Sequence, residues 1–74
     1  MIFSANDEVW ILDGDGSWYR GVVEGVIGKT EFDKSIQYSV RWWNGGGFGV
    51  RHGIRTDSGI MFLDDPNASG LSGE

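Results

Sequence analysis

The chain has 74 residues with 13 glycines, one proline and no cysteine, and its formal net charge is −5. This length supports one small domain, and the absence of cysteine excludes disulfides. Because His52 is the only histidine, a zinc site built from Cys and His is also excluded. We expect no metal site and no cofactor.

The sequence predicts strands and no helix, because no window keeps apolar residues at helical spacing. Turn-forming residues separate short segments rich in Val, Ile, Tyr and Trp, a pattern typical of strands. The predicted strands are Glu8–Leu12, Trp18–Val26, Ile36–Trp43, Phe48–Ile54 and Gly59–Leu63.

Glycines and alternation add detail to these strands. Gly21 and Gly25 predict bends or bulges in the second strand, and residues 27–35 read as a polar loop. In the third strand, Ile36, Tyr38, Val40 and Trp42 fall on one face. In the fourth, His52 falls with Val50 and Ile54, which predicts a histidine at the rim of the fold or in its core.

Five short strands with frequent turns favour an all-β fold, a small five-stranded SH3-like barrel whose closure would remove the sheet edges. An OB-fold is the alternative. Residues 1–66 form the predicted barrel, and residues 67–74 form a flexible acidic tail.

Three segments resemble Tudor domains, which belong with chromo and Agenet domains to a group of SH3-like barrels. Residues 7–11, Asp-Glu-Val-Trp-Ile, resemble the opening strand of the family. Residues 15–26 are similar to its D-G-x-W-Y-x-A-x-V-x-x-V strand, and residues 37–46 resemble its Y-x-V-x-[FYW]-x-D-G segment. The resemblance implies a Tudor-like fold and recognition of methylated Lys or Arg by an aromatic cage.

The resemblance also implies which residues bind the ligand. Tyr19 and Trp42 match cage positions, whereas Leu12 and Gly45 stand where the family often has aromatic residues. Trp43 and Phe48 flank the glycine-rich turn and are candidate substitutes. Either of two carboxylates could pair with a bound cation, those of Asp13 and Asp15.

The aromatic residues also have a purely structural interpretation, because Trp and Tyr fill the core of a small barrel or cover its open ends. Tyr38 is expected in the core, and Trp10 and Trp18 are expected to pack or to anchor the surface. Trp42 and Trp43 are adjacent in a strand and face opposite sides, so one of them is a candidate docking anchor outside the core.

The charges are unevenly distributed along the chain. Residues 1–15 and 57–74 carry −4 each, whereas residues 16–56 carry +3. Arg41, Arg51 and Arg55 lie in the middle segment, either as the outer face of strands or as an anion-binding patch. Since the whole chain is acidic, nucleic-acid binding is the less favoured function.

No catalytic site is predicted. No spacing of Ser, His and Asp singles out a triad, and Gly28-Lys29-Thr30 lacks the first glycine of a phosphate-binding loop. Residues 13–24 imitate a calcium loop but have Trp18 where its turn needs glycine. We therefore expect a protein that is not an enzyme.

No apolar run exceeds four residues, whereas a membrane helix needs about 20. Residues 1–8 lack the features of a signal peptide. We expect a soluble intracellular protein, cytoplasmic or nuclear, that does not contact membranes. Its expected function is that of a small binding module for a peptide or protein partner. The alternative is a structural, adaptor or inhibitor barrel that docks onto a larger protein assembly.

Overall fold

The computed structural model of the chain describes residues 3–32, 34–43 and 49–68. These residues form one antiparallel sheet of five strands in the order β4-β3-β2-β1-β5. The strands are β1 (Glu8–Leu12), β2 (Trp18–Lys29), β3 (Ile36–Trp43), β4 (Val50–Thr56) and β5 (Ile60–Phe62). The all-β prediction is confirmed, and β1 and β3 have their predicted bounds.

Outside the strands, the described residues form short helical turns. Two 3-10 helices span Asp57–Gly59 and Pro66–Ala68. Within the described ranges, no helix has the length and apolarity needed to cross a membrane. In the predicted tail, Asn67 is exposed and Ala68 is buried against the fold, and residues 69–74 lie outside the described ranges.

Strand β2 is longer than predicted, because it continues to Lys29 where a loop was expected from Ile27. Its last residues pair with the start of β3, up to Lys29 opposite Ile36. The register shifts between Val23 and Gly25 and again between Val26 and Gly28. These irregularities bend the strand, which confirms the predicted bulge at Gly25.

Gly21 has a different role, because it allows close packing between β1 and β3. A Cβ atom at this position would lie 2.5 Å from Ile11 Cδ1 and 2.8 Å from Trp42 Cβ, and it would also overlap the carbonyl oxygen of Arg41. A side chain at Gly21 would therefore force the neighbouring strands to move.

The core lies on one face of the sheet. Phe3 caps it from the N-terminal segment, with its ring 5.3 Å from that of Tyr38 in an edge-on contact and 4.6 Å from that of Phe62. The inward face of β3 and the core position of Tyr38 are confirmed. The buried cluster consists of Phe3, Val9, Ile11, Val23, Tyr38, Val40, Trp42 and Ile60.

The orientation of β4 differs from the prediction. Val50, His52 and Ile54 do share a face, but it is the outward one: Val50 and Ile54 are 45% and 53% exposed, and His52 is exposed as well. The expectation that places His52 in the core is wrong. The bounds of β4 and β5 differ from the predicted ones by one or two residues.

The sheet keeps two edges in the described part of the chain. Strands β4 and β5 stand at the two ends of the strand order and are not hydrogen-bonded neighbours. Closure of the sheet into a barrel, which would remove both edges, is not confirmed. The short strand β5 pairs with β1, which leaves β4 as the longer edge.

Candidate functional site

Trp42 stands at the centre of a polar cluster at one end of the inward face. Its side chain is only 4% exposed, and its Nε1 donates a hydrogen bond to Oδ2 of Asp13 at 2.9 Å. The guanidinium of Arg55 lies over the indole ring, 4.8 Å from its centroid. Groups of the chain itself therefore occupy both the N–H edge and one face of this ring.

Arg55 is held over Trp42 by two further hydrogen bonds. Its Nε donates to the carbonyl oxygen of Leu12 at 2.7 Å, and its Nη1 donates to that of Ile54 at 2.8 Å. A Cβ atom at Gly53 would lie 3.1 Å from the indole and 3.2 Å from Arg55 Nη1. The glycine thus leaves room for the stacked pair, which joins β3 and β4 to the end of β1.

The β1–β2 turn presents the second carboxylate of the cluster. Asp15 accepts hydrogen bonds from the Ser17 backbone N–H at 2.8 Å and from the Tyr19 hydroxyl at 2.7 Å. These two bonds, with that of Ser17 the larger cause, hold the pKa of the Asp15 carboxyl below its ordinary value of 3.8. The bond to Asp15 also raises the pKa of Tyr19, because it favours the protonated phenol.

The predicted cage residues are divided between two faces of the sheet. Tyr19 and Trp42 are on the inward face, and the β1–β2 turn brings Asp13 to Trp42 and Asp15 to Tyr19. Trp43 points outward and is 56% exposed. Phe48 and Gly45 lie outside the described residues, so the structure gives no position for a cage wall there.

An open groove with a volume of about 240 Å³ lies on the outward face beside Trp43. Its apolar surface includes Trp43 and Val50, two of the most exposed large apolar side chains of the sheet. The groove is lined by Glu8, Arg20, Gly21, Val22, Arg41, Trp42, Trp43 and Val50.

The two arginines of the groove are already partnered, though loosely. Arg20 lies 3.4 Å from Glu8 and 5.8 Å from the ring centroid of Trp10, and Arg41 lies 3.7 Å from Glu24. Both arginine side chains are 46% exposed. Ion pairs of this exposure contribute little to stability, so both guanidinium groups remain accessible to a ligand.

The three arginines of the predicted basic patch do not share a surface. Arg41 is opposite His52 on the outward face, whereas Arg51 is opposite Trp42 and belongs to the inward face with Arg55. The pairing of Arg55 with Trp42 was not foreseen, because the predicted strand ended at Ile54. Because β4 in fact ends at Thr56, Arg55 lies opposite Tyr38, on the same inward face as Trp42.

The described residues contain no group of three or more His, Cys, Asp or Glu side chains that could hold a metal ion. Comparisons with protein-family models, with curated proteins and with solved structures find no match to the chain. Inferences about function therefore rest on the geometry of the chain itself.

Proposed function

We propose that the protein is a small, non-catalytic binding module with an SH3-like fold, and that an extended segment of a protein partner binds in the outward groove beside Trp43. Two features support the SH3-like assignment. The last strand pairs with the first, and β2 is bent by bulges so that it contacts β1 and β3 with different parts. Such bending is how a short sheet curls towards a barrel.

The exposure of Trp43 is the observation that carries the proposal. A tryptophan buries about 200 Å² or more in a full interface, and this one leaves 56% of its surface exposed. At about 25 cal/mol per Å², covering the exposed part would contribute up to about 3 kcal/mol. A contribution of that size is typical of the aromatic residues that dominate interfaces.

The surroundings of Trp43 favour a protein segment as the occupant. The groove combines apolar surface from Trp43 and Val50 with charged groups of both signs, from Arg20, Arg41 and Glu8. An apolar side chain could cover the indole while neighbouring polar groups contact the charges at the rim, as in protein interfaces generally.

Panning a random peptide library on the wild-type protein tests this proposal, with Trp43→Ser as the counter-selection. Phe32→Ser is the matched control, because Phe32 is fully exposed in the loop after β2 and lines no part of the groove. We expect selected peptides to bind wild type and Phe32→Ser equally and to lose binding to Trp43→Ser. Peptides that bind all three proteins equally would contradict the proposed site.

One observation favours a second candidate, recognition of a methylated Lys or Arg at Trp42. The indole already has a guanidinium stacked on it, and Tyr19, Asp13 and Asp15 lie around the same end of the sheet. A ligand would have to displace Arg55, so this function requires that Arg55→Ala bind trimethyl-lysine and dimethyl-arginine peptides more tightly than wild type. Equal binding of methylated and unmethylated peptides by both proteins would exclude it.

A further inference from the structure

The edge of the sheet at β4 is long and is paired on one side only. In the described part of the chain, β4 has β3 as its one hydrogen-bonded neighbour. It runs for seven residues, whereas the other edge strand, β5, has three. A long unpaired edge is a template for a strand from another chain.

The hydrogen-bond pattern shows which residues of β3 bond towards β4. In an antiparallel sheet, successive residues bond alternately to the strand on one side and to the other side. The Asp13 N–H donates to the Ser17 carbonyl at 2.8 Å, so Ser17 bonds towards β1. By alternation, the other odd-numbered residues at the start of β2 also bond towards β1, and the even-numbered residues bond towards β3. Val22 therefore bonds to Arg41, its register partner, and Trp42 bonds towards β4.

The same alternation identifies the backbone groups of β4 that face away from β3. Trp42 is opposite Arg51, so Arg51, Gly53 and Arg55 use their backbone groups on β3. The bond from Arg55 Nη1 to the Ile54 carbonyl is consistent with this assignment, because that carbonyl is open to a side chain. The backbone groups that face the unpaired edge belong to Val50, His52 and Ile54.

The side chains of β4 favour a particular kind of strand. Arg51 and Arg55 lie on the inward face and no acidic residue occurs in β4, although the whole chain is acidic. Val50 and Ile54 are exposed and apolar on the outward face. Arg55 is already bonded within the chain, so a complementary strand would place an acidic residue opposite the exposed Arg51 and apolar residues opposite Val50 and Ile54.

A second copy of the chain fits this edge poorly. Pairing of two β4 strands about a two-fold axis at Gly53 would place Arg51 of each copy opposite Arg55 of the other. Like charges directly opposite one another destabilise a sheet. Pairing about an axis at His52 would avoid that contact but would place Arg51 opposite Gly53, with no acidic residue against it. Because neither pairing gives Arg51 an acidic neighbour, the charge pattern favours a different, acidic partner.

We infer that β4 binds an extended acidic strand of a protein partner, which adds to the sheet beside Val50, His52 and Ile54. This inference rests on the proposed binding function and names the chemistry of the partner. Val50 belongs both to this edge and to the groove of Trp43, so one partner segment can follow the edge and reach the groove. Main-chain hydrogen bonds would supply affinity, and the alternating side chains would supply specificity.

The test uses a short synthetic peptide in which valine and glutamate alternate, and a counterpart with lysine in place of glutamate. Binding is followed by backbone amide shifts of the labelled protein at millimolar peptide. We expect shifts at Val50, His52 and Ile54 with the glutamate peptide, and binding about tenfold weaker for the lysine peptide, as expected for a difference of about 1.4 kcal/mol.

Two changes test the backbone contact itself. His52→Pro removes an edge-facing N–H that β3 does not use, and His52→Ala is its control because it keeps that N–H. A glutamate peptide with alternate backbone amides methylated tests the same contact from the ligand side, whatever the folding of the proline variant. We expect His52→Pro to weaken binding about tenfold, the equivalent of one lost hydrogen bond, and methylation of the edge-facing peptide amides to weaken it by more, because several donors are lost.

The outcomes separate this inference from the proposed function. Shifts at Trp43 and Val22 without shifts along β4 would overturn the edge inference and leave the groove intact. Equal binding of the glutamate and lysine peptides would overturn the acidic partner. Absence of any shift with the glutamate peptide would overturn the edge inference, while the library selection on Trp43 would still decide the proposed function.

Discussion

Replacing Arg55 by methionine keeps the aliphatic stem of the side chain and removes its guanidinium. The change deletes the stacking on Trp42 and the hydrogen bonds to the carbonyl oxygens of Leu12 and Ile54. Hydrogen bonds from a charged donor contribute about 1.5 kcal/mol each at the lower end, and the stacking adds about 0.5–1 kcal/mol. Water can replace part of these contacts at a half-buried site, so we expect a loss of about 2–3 kcal/mol.

Urea unfolding measures this loss. A small domain has a denaturant slope of about 1 kcal/mol per M, so the unfolding midpoint of Arg55→Met should fall by about 2 M. A domain of this size has a total stability of about 4–11 kcal/mol, so the variant should remain folded in water.

Arg51→Met is the matched control, because Arg51 is in the same strand, shares the inward face and is exposed. We expect its free energy of unfolding to stay within about 0.5 kcal/mol of wild type. Equal unfolding midpoints for Arg55→Met and wild type would refute the reasoning that Arg55 joins β4 to Trp42 and to the end of β1.

Three further predictions concern other parts of the chain. Gly21→Ala should lower the free energy of unfolding by about 3 kcal/mol, because its Cβ would overlap backbone and side chains of two strands. Gly25→Ala, with open space around its Cβ, should lose no stability in the same urea experiment; equal losses in both variants would contradict the packing argument. The lowered pKa of Asp15 contributes stability that is present above pH 3.8 and is lost as the pH falls through the pKa of the folded state. Tyr19→Phe should move the Asp15 pKa back towards 3.8, as followed by NMR of the carboxyl carbon, and an unchanged pKa would show that the hydroxyl does not stabilise the carboxylate. Trp43→Ser should lower the free energy of unfolding by at most about 2 kcal/mol, because 56% of the side chain is already exposed, and a loss of about 3–5 kcal/mol, typical of a core tryptophan, would show that Trp43 belongs to the core.

The sequence predicts β1 and β3 well, because each is a short run of apolar and β-branched residues bounded by a clear turn. Residues 27–29 at the end of β2 show no clear strand pattern, so the sequence does not predict the full length of this strand. Strand formation there depends on pairing with β3. Propensity is weak where cross-strand contacts decide the structure. The bulge at Gly25 was predictable because glycine within a strand often marks one.

The candidate site is less predictable, because it depends on which side of the sheet each residue faces. The alternation in β3 correctly separated Trp42 from Trp43. In β4, the alternation of Val50, His52 and Ile54 indicates one shared face but not which side of the sheet it lies on, and the structure places this face outward. The hydrogen bond from Trp42 to Asp13 and the stacking of Arg55 on Trp42 join residues that are far apart in the sequence. No local sequence pattern predicts such contacts.

The side-chain N–H resonances of the tryptophans test the central claim most directly, since the two candidate sites use adjacent indoles. The protein would be titrated with a peptide selected on wild type, and the indole signals of Trp42 and Trp43 would be followed by NMR. The proposed groove predicts that the Trp43 signal moves while the Trp42 signal, bonded to Asp13, stays in place. Movement of Trp42 with an unchanged Trp43 would contradict the account and would place the ligand at the cluster of Arg55.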